Sequence, residues 1–239
     1  MLAHRGLAVH APENTLTAFR DALRAGATHL ETDVQLSADG VAVLSHDADL
    51  LRTLGRPDTV ASLGHRQLRE LDLGAGEGYL SLAEALEALP EARFNIDVKA
   101  DGAEGPTARA VLAAGATDRV LITSFSGRRR KRTVTLLPGV MASASSGQVV
   151  AAILAATLGS RRLMRRALRG VHATQVPERR GRLRIVTRRF VRAVHAAGAE
   201  VHVWTINEPA DMRRLLGLGV DGIVTDRCDL AAGVVSEGS

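Results

Sequence analysis

Carboxylate side chains recur at alternate positions in two short segments that are otherwise largely apolar. Glu31 and Asp33 alternate with Leu, Thr and Val in one segment, and Asp97 and Lys99 alternate with Ile and Val in the other. Side chains two positions apart share a strand face. Because buried carboxylates resist ionisation unless a cation compensates them, three of them suit a hard ion with oxygen ligands, Mg²⁺ or Ca²⁺. Lys99 adds positive charge where an anionic substrate would bridge to that ion. Two ordinary half-exposed strands with polar outer faces would show the same alternation. Because the alternation recurs at two strand ends, it favours a functional site.

Two histidines stand where strand-like runs give way to loops. His4 precedes Arg5 and Gly6, and His46 precedes Asp47. An imidazole titrates near neutral pH, so a pair beside a metal site can provide a general base and a general acid. We interpret the pair as suited to an in-line displacement at phosphorus.

Strand-like and helical patterns alternate along the chain, which indicates the α/β class and a (β/α)8 barrel. A doubly wound open sheet is the competitor, but the sequence lacks Gly-x-Gly-x-x-Gly and Gly-Lys-Ser/Thr phosphate-binding loops. Barrel catalysis lies where strands lead into loops, which is where both histidines fall. The predicted strands are Leu2–His4, His29–Gln35, Arg93–Val98, Arg119–Ser124, Val140–Ser143, Val171–Gln175, Glu200–Ile206 and Gly222–Thr225.

The remaining patterns predict one extra hairpin and the connecting helices. Residues 41–46 form the hairpin strand after the second barrel strand, with Asp39-Gly40 at the turn. We predict a single domain over residues 1–239. The predicted helices are Thr15–Ala25, a helix that begins with the capping box Ser81–Glu84, and Gly105–Ala114, Arg128–Leu137, Gln148–Arg169, Thr187–Ala197 and Pro209–Leu218.

Positive charge is concentrated in one segment. Residues 128–192 contain 17 basic residues and one acidic residue, a net charge of +16 against −11 for the rest of the chain. Residues 161–169 read as an amphipathic helix with arginines on one side. Such a helix could lie on an anionic membrane, or it could pack on the barrel and expose its arginines to solvent.

The composition limits the expected compartment, membrane association and partners of the protein. Cys228 is the single cysteine, so an internal disulfide is excluded and a reducing cytoplasm is the expected compartment. The longest apolar run, Val149–Leu158, is too short to span a membrane, and no secretion leader is visible. Only 3% of residues are aromatic, so we expect no nucleic-acid partner.

An ordered set of motifs resembles the glycerophosphodiester phosphodiesterase family. The motifs are His4-Arg5-Gly6, Pro12-Glu13-Asn14-Thr15, Glu31-Thr32-Asp33-Val34, Asp39-Gly40 with His46-Asp47, Asn95-Ile96-Asp97-Val98-Lys99, Ser124-Phe125, Val203-Trp204-Thr205-Ile206-Asn207 and Asp221-Gly222-Ile223-Val224-Thr225-Asp226. They cover nearly the whole chain. The resemblance implies a TIM barrel that hydrolyses glycerophosphodiesters to sn-glycerol 3-phosphate and an alcohol.

The resemblance also implies roles for individual residues. His4 would be the general base and His46 the general acid. Arg5 would hold the phosphate, and Lys99 would stabilise its charge. Two aromatic residues resemble those that line the apolar wall beside the glycerol: Phe125 and Trp204.

Three carboxylates, Glu31, Asp33 and Asp97, would bind one divalent cation, Mg²⁺ or Ca²⁺. Glu13 and Asn14 would support the site. The third carboxylate is more usually Glu in this family, and Asp97 is one methylene shorter. That difference could change the metal distance or the choice of metal.

Two alternatives stay open beside this function. The segment between residues 47 and 81 is short for the family, so a lysophospholipase D-type enzyme with bulky lipid substrates is one of them. A non-catalytic barrel that binds phosphodiesters or anionic surfaces is the other. Simple anion binding needs no acidic cluster, so the retained histidines and carboxylates favour an enzyme.

Overall fold

The computed structural model describes residues 1–236, so the last three residues of the predicted 1–239 domain lie outside the described chain. The strands of the described chain are β1 (Leu2–His4), β2 (His29–Leu36), β3 (Ala42–Leu44), β4 (Arg93–Val98), β5 (Val120–Thr123), β6 (Met141–Ala142), β7 (Ala173–Pro177), β8 (Arg179–Arg180), β9 (Leu183–Arg184), β10 (Glu200–Trp204) and β11 (Gly222–Thr225).

Eight parallel strands form a barrel in the order β6, β5, β4, β2, β1, β11, β10, β7. The two ends of this row meet where Ser143 and Ala173 form a parallel bridge and the amide of Ala144 donates to the carbonyl of Ala173 at 2.8 Å. The predicted (β/α)8 barrel is confirmed. β3 pairs antiparallel with β2, and this pairing is the predicted hairpin.

The helices of the described chain lie mostly between the barrel strands. Thr15 caps the first of them by accepting a hydrogen bond from the amide of Ala18, and Ser81 and Glu84 form the predicted capping box. The helices are α1 (Leu16–Arg24), α2 (Leu51–Leu54), α3 (His65–Arg69), α4 (Leu82–Ala88), α5 (Glu104–Ala113), α6 (Gly127–Thr135), α7 (Ser146–Leu158), α8 (Arg161–Ala167), α9 (Arg188–His195), α10 (Pro209–Leu216) and α11 (Cys228–Ser236).

The alternation in β2 and β4 separates an apolar face from a polar one. Leu30, Phe94 and Ile96 are fully buried in a cluster that includes residues of α1 and α4. The ring of Phe19 in α1 meets that of Phe94 edge to face, with 6.0 Å between the ring centroids. Because the apolar face meets the helices, the polar positions of the same strands face the barrel interior.

The single helix predicted from Gln148 to Arg169 is wrong. Gly159 adopts the left-handed conformation, with φ of 69°, and ends α7. Ser160 then caps α8 by accepting a hydrogen bond from the amide of Leu163. Glycine adopts this conformation without steric cost, so it ends a helix where an apolar pattern would continue one.

Two apolar side chains at α8, Met164 and Leu168, are buried in the core cluster that this helix shares with α7 and α9. Five arginines of this segment are exposed: Arg161, Arg162, Arg165, Arg166 and Arg169. Both interpretations of α8, contact with solvent and contact with an anionic membrane, require such exposed arginines. In the described chain, no helix combines the length and apolarity needed to span a bilayer.

Two insertions stand outside the barrel. Between β3 and β4, α2 and α3 pack around a separate apolar cluster of Val43, Leu50, Val60, Leu68 and Tyr79. After β7, β8 and β9 pair antiparallel to form a short hairpin that the sequence pattern did not predict. Both strands of the hairpin are exposed, so no alternation of buried and exposed residues marks them.

Candidate active site

A cavity of about 1080 Å³ opens at the carboxyl ends of the barrel strands. It brings together nine of the eleven predicted site residues, but Glu13 and Asn14 do not line it. The nine are His4, Arg5, Glu31, Asp33, His46, Asp97, Lys99, Phe125 and Trp204. This is the barrel end at which TIM-barrel enzymes carry their catalytic residues.

The carboxylates lie on neighbouring strands and share one lysine. Asp33 on β2 pairs in register with Asp97 on β4. Lys99 Nζ lies 3.0 Å from Asp33 Oδ1 and 2.7 Å from Asp97 Oδ2. Glu31 lies two residues before Asp33 on the same face of β2. It is also buried, and it accepts a hydrogen bond from the backbone amide of Arg5 at 3.2 Å. The predicted convergence of acidic side chains inside the barrel is therefore present.

The turn after β1 directs Arg5 over the same strands. Arg5 is held in the left-handed region, with φ of 58°, and its amide also donates to the carbonyl of Glu31 at 3.0 Å. Gly6 follows with φ of 86°, and a Cβ there would lie 2.8 Å from the backbone of Ala18. Only glycine fits this turn. Arg5 Nε consequently lies 3.2 Å from Asp33 Oδ2.

Burial and mutual repulsion shape the charges of this cluster. Burial, with the charges of Asp33 and Asp97, raises the pKa of Glu31 well above its ordinary value. Burial also raises the pKa of Asp97 even though Lys99 opposes the change. Burial lowers the pKa of Lys99, but the two aspartates outweigh it and leave that pKa raised. Lys99 and Arg5 thus compensate the carboxylates only in part.

The donor set fits a hard divalent cation. Asp97 Oδ1 is a buried carboxylate oxygen without a hydrogen-bond donor, and Asp33 Oδ2 meets only Arg5 Nε, at 3.2 Å and without a hydrogen bond. Buried carboxylate oxygens are costly unless a cation or a donor meets them. Within residues 1–236, no group of three or more His, Cys, Asp or Glu side chains is already arranged around a metal position. Lys99 instead bridges the two aspartates.

A carboxylate orients the first histidine. His4 Nδ1 lies 2.6 Å from Asp226 Oδ1, and Asn207 Nδ2 donates to the other oxygen of Asp226 at 2.8 Å. The hydrogen bond from His4 lowers the pKa of Asp226, against the effect of burial, so Asp226 is an anion that can only accept. The proton between them therefore lies on Nδ1, which leaves Nε2 of a neutral His4 as the free lone pair.

The second histidine has its own carboxylate. His46 Nδ1 lies 2.7 Å from Asp47 Oδ1, and Arg52 Nε donates to Asp47 Oδ2 at 2.5 Å. Arg52 also pairs with Glu13 at 2.6 Å, and Glu13 in turn accepts from Arg5 at 3.2 Å. Glu13 therefore stands behind the cavity wall, where it connects the phosphate-binding candidate Arg5 to the partners of His46.

Aromatic rings and an asparagine complete the predicted set. The rings of Phe125 and Trp204 meet edge to face with 6.2 Å between centroids, and Lys99 Nζ lies 5.2 Å from the Phe125 centroid. Asn14 is buried behind β2, where its Oδ1 accepts from Thr32 Oγ1 at 2.7 Å. The backbone N–H of Asn14 donates to the carbonyl of Arg5 at 2.9 Å, so Asn14 supports the turn after β1.

Comparison with known proteins agrees with this geometry. The profile of the Glycerophosphoryl diester phosphodiesterase family matches residues 4–230. The chain belongs to this family. It is 43% identical over 236 residues to "Probable glycerophosphodiester phosphodiesterase 2" of Mycobacterium tuberculosis, covering 98% of this chain and 89% of that protein. Membership in the glycerophosphodiester phosphodiesterases makes the chain a phosphoric diester hydrolase.

Solved structures have the same fold. A glycerophosphodiester phosphodiesterase from Agrobacterium tumefaciens superposes with a TM-score of 0.78 at 27% identity, with 98% of each chain covered. An Oleispira antarctica phosphodiesterase, solved in complex with the product sn-glycerol-3-phosphate, superposes with a TM-score of 0.79 at 24% identity, covering 98% of this chain and 96% of that one.

Sequence reasoning missed the residues that hold the two histidines. Asp226 follows β11 at a strand end, and this position, where barrel enzymes carry catalytic groups, is the signal that could have identified it. Asp47 is adjacent to His46 in the motif. Arg52 lies in the insertion with α2, where nothing in the pattern indicates that it returns to the site.

Proposed function

We propose that this chain hydrolyses glycerophosphodiesters to sn-glycerol 3-phosphate and an alcohol, with His4 as general base and His46 as general acid. One observation mainly supports this proposal: both imidazoles border one cavity, and the Nδ1 atom of each lies within hydrogen-bond distance of a carboxylate. Family membership supports the hydrolysis of glycerophosphodiesters. The Oleispira antarctica phosphodiesterase, which was solved with sn-glycerol-3-phosphate, supports the proposed product.

His4 is suited to removing a proton. Because Asp226 accepts the Nδ1 proton, His4 Nε2 has the lone pair that can take a proton from the glycerol 2-hydroxyl or from water. Asp226 also compensates the charge that His4 then acquires. The same orientation by a carboxylate operates in Ser-His-Asp hydrolases.

His46 is suited to the opposite step. Asp47 holds its Nδ1 and compensates the positive charge of an imidazolium, so Nε2–H of that imidazolium can protonate the leaving alkoxide. Arg5 and Lys99 supply positive charge for the phosphate oxygens at the floor of the cavity. Positioned charge of this kind is usually the largest contribution to catalysis.

We propose that Glu31, Asp33 and Asp97 hold one divalent cation, Mg²⁺ or Ca²⁺. The family generally depends on a divalent cation. Such an ion neutralises phosphate charge and polarises a phosphoryl oxygen when it is bound. The buried Asp97 Oδ1, which has no hydrogen-bond donor, and the raised pKa values of Glu31 and Asp97 support this assignment.

We also propose that residues 1–239 form one barrel domain, that the enzyme acts in the cytoplasm, and that the basic segment 128–192 can touch an anionic membrane. The lone Cys228, which is buried, supports a reducing compartment. The exposed arginines of α8 support the membrane contact.

Metal-titrated hydrolysis of glycerophosphocholine and glycerophosphoglycerol tests the proposal. Wild-type enzyme should release sn-glycerol 3-phosphate only with a divalent cation. His4→Ala and His46→Ala should each reduce kcat by about 10²- to 10⁴-fold. Turnover near the wild-type rate in either variant would remove that residue from its role, and no turnover with any metal would favour a binding protein.

A further inference from the structure

A row of polar side chains crosses the interior of the barrel below the carboxylate cluster. Its members are Asn95 on β4, Gln175 on β7 and His202 on β10, and Glu200 ends the row where β10 begins, at the amino end of the barrel. Branched apolar side chains usually fill the interior of such a barrel. The four residues, which we name the polar column, therefore cost stability unless their polar groups satisfy one another.

The polar column is a continuous chain of hydrogen bonds. His202 Nε2 lies 2.9 Å from Glu200 Oε2. Gln175 Nε2 lies 3.4 Å from His202 Nδ1, and it donates to Asn95 Oδ1 at 2.9 Å. Asn95 and His202 are buried, whereas the side chain of Glu200 is 63% exposed. The column thus connects solvent at the amino end of the barrel with the cavity at the other end, which Asn95 and Gln175 both line.

The neighbouring strand β11 leaves room for the imidazole of the column. Gly222 pairs in register with His202, and a Cβ on Gly222 would lie 2.6 Å from His202 Cδ2. The same Cβ would lie 3.0 Å from Leu2 Cδ1. Glycine weakens a strand and often marks a close approach of another group. A larger residue at this position would displace the ring of His202 from the column.

The exposed carboxylate sets the order of donors and acceptors along the column. The hydrogen bond from His202 lowers the pKa of Glu200, so Glu200 is an anion that can only accept. The Nε2 atom of His202 must then hold the proton, which leaves a lone pair on Nδ1 of the neutral ring. The NH₂ group of Gln175 faces this lone pair, and it is the same group that donates to Asn95 Oδ1.

This order decides which end of the Asn95 amide is available to a ligand. Because Oδ1 accepts from Gln175, the NH₂ group of Asn95 remains as a donor for the cavity. Asn95 is in register with Glu31 on β2 and lies two residues before Asp97 on the same strand face. Beside these carboxylates, a carbonyl oxygen would repel an anionic ligand, whereas an N–H group attracts one.

We propose that Asn95 is a further substrate-binding residue that donates from Nδ2 to a phosphate oxygen, and that Gln175 and His202 are positioning residues that keep this NH₂ group toward the cavity. The inference rests on the proposed function, because it concerns the phosphate that Arg5 and Lys99 would bind. Both of those cations also pair with carboxylates of the cluster. The neutral amide adds a donor without changing the charge of the cluster.

The experiment measures the Kd of sn-glycerol 3-phosphate, the proposed product, in the full chain. Trp204, the only tryptophan of the chain, lines the cavity, so its fluorescence reports occupancy without turnover. Asn95→Ala should weaken binding at least about tenfold, because it removes a hydrogen bond to a charged ligand. A wild-type Kd in Asn95→Ala would overturn the inference.

Two histidine variants provide the matched comparison. His202→Leu removes the acceptor for Gln175 and leaves an apolar side chain of the kind that fills barrel interiors, so Kd should weaken about fivefold. His195 lies outside the column, where its Nε2 is 2.7 Å from Asp221 Oδ2. His195→Leu should therefore keep the wild-type Kd. Equal Kd values in the two variants would exclude His202 as a positioning residue.

A double variant distinguishes positioning from a general loss of structure. Once Asn95 is replaced by alanine, the column has no amide to orient. Adding His202→Leu to Asn95→Ala should therefore change Kd by less than about twofold. Additive effects of the two substitutions would mean that His202 acts through the fold and would overturn its positioning role.

Hydrolysis of glycerophosphocholine, measured in parallel, separates this inference from the proposed function. If the wild-type protein does not hydrolyse it, the proposed function fails, while a Kd that depends on Asn95 and His202 still supports the column. If the wild-type protein hydrolyses it and Asn95→Ala binds the product as tightly as the wild type, the proposed function stands and the inference fails.

Discussion

The cavity has a charged half at the ends of β1, β2 and β4 and an apolar half formed by α7 and the β8–β9 hairpin. In the charged half, groups such as Asp33 and Asp226 are each held by two or more neighbours. In the apolar half, Leu154 and Leu183 stand largely free of the protein interior. Barrel strands thus fix the residues proposed for chemistry, while elements added beyond the strands present an apolar surface to the same cavity.

The largest effect should come from the carboxylate behind His4. Asp226→Asn replaces an acceptor by an amide that can donate to Nδ1, which would move the proton of neutral His4 to Nε2 and remove the base. We expect kcat to fall about 10²- to 10⁴-fold. Steady-state kinetics on glycerophosphocholine across pH measures this.

The control for that variant is Asp229→Asn, an acidic residue in the first turn of α11 that pairs with Arg227 away from the histidine. It should retain wild-type kcat. If Asp226→Asn is equally active, His4 is not oriented by its carboxylate, and the charged half is less tightly organised than the contacts indicate.

The compensating lysine should matter for stability. Lys99→Met leaves Asp33 and Asp97 buried with less positive charge, so in EDTA we expect the free energy of unfolding to fall by about 2–3 kcal/mol, less than a fully buried pair would lose. Mg²⁺ or Ca²⁺ should restore part of this loss. Urea unfolding with EDTA and with each metal provides the measurement.

Lys131→Met is the matched control because Lys131 is the other lysine of the chain and is exposed. Its stability should be indifferent to metal. A Lys99→Met protein that also gains nothing from either metal would argue against a cation at the three carboxylates.

A smaller effect on catalysis should follow from a substitution in the insertion between β3 and β4, which contacts the carboxylate beside His46. Arg52→Ala removes the ion pairs to Asp47 and Glu13, so we expect kcat/KM to fall about tenfold through a less ordered His46. Arg56→Ala, which removes an exposed pair with Asp58 in the same insertion, should have no such effect. Equal rates in the two variants would mean that the insertion does not contribute to catalysis and that only residues of the barrel strands and their loops do.

The smallest effect should be on the stability of the apolar half. Leu154→Asp should change the free energy of unfolding by no more than about 0.5 kcal/mol, because the side chain is already largely in water. Ala156→Asp, on the buried side of the same helix, should cost several kcal/mol. Thermal unfolding of both proteins compares them, and a large loss in Leu154→Asp would mean that this side chain belongs to the folding core.

Most of the fold was predictable because local sequence and global structure agree. β1, β4 and β11 begin and end at the predicted residues, since apolar runs bounded by turn residues leave little freedom. The long helix through residue 159 was predicted wrongly, because one glycine in the left-handed conformation ended it. The β8–β9 hairpin was not predicted, because its exposed arginines carry no alternation.

The sequence by itself determined which side chains share the interior of the barrel. A period of two along a strand, with apolar residues at alternate positions, is sufficient to place Glu31, Asp33 and Asp97 on one side. The family motifs further predicted the histidines that border the same cavity.

Only the tertiary structure decided which groups hold those side chains. Asp226 lies 222 positions from His4, and Arg52 lies 39 positions from Glu13, so closure of the barrel and folding of the insertion create both contacts. It also decided that α7 buries its alanines in the core cluster shared with α8 and α9 and directs its larger apolar residues toward the cavity. An apolar run such as 149–158 contains no polar face to orient it, so packing against the neighbouring strands and helices selects the buried side.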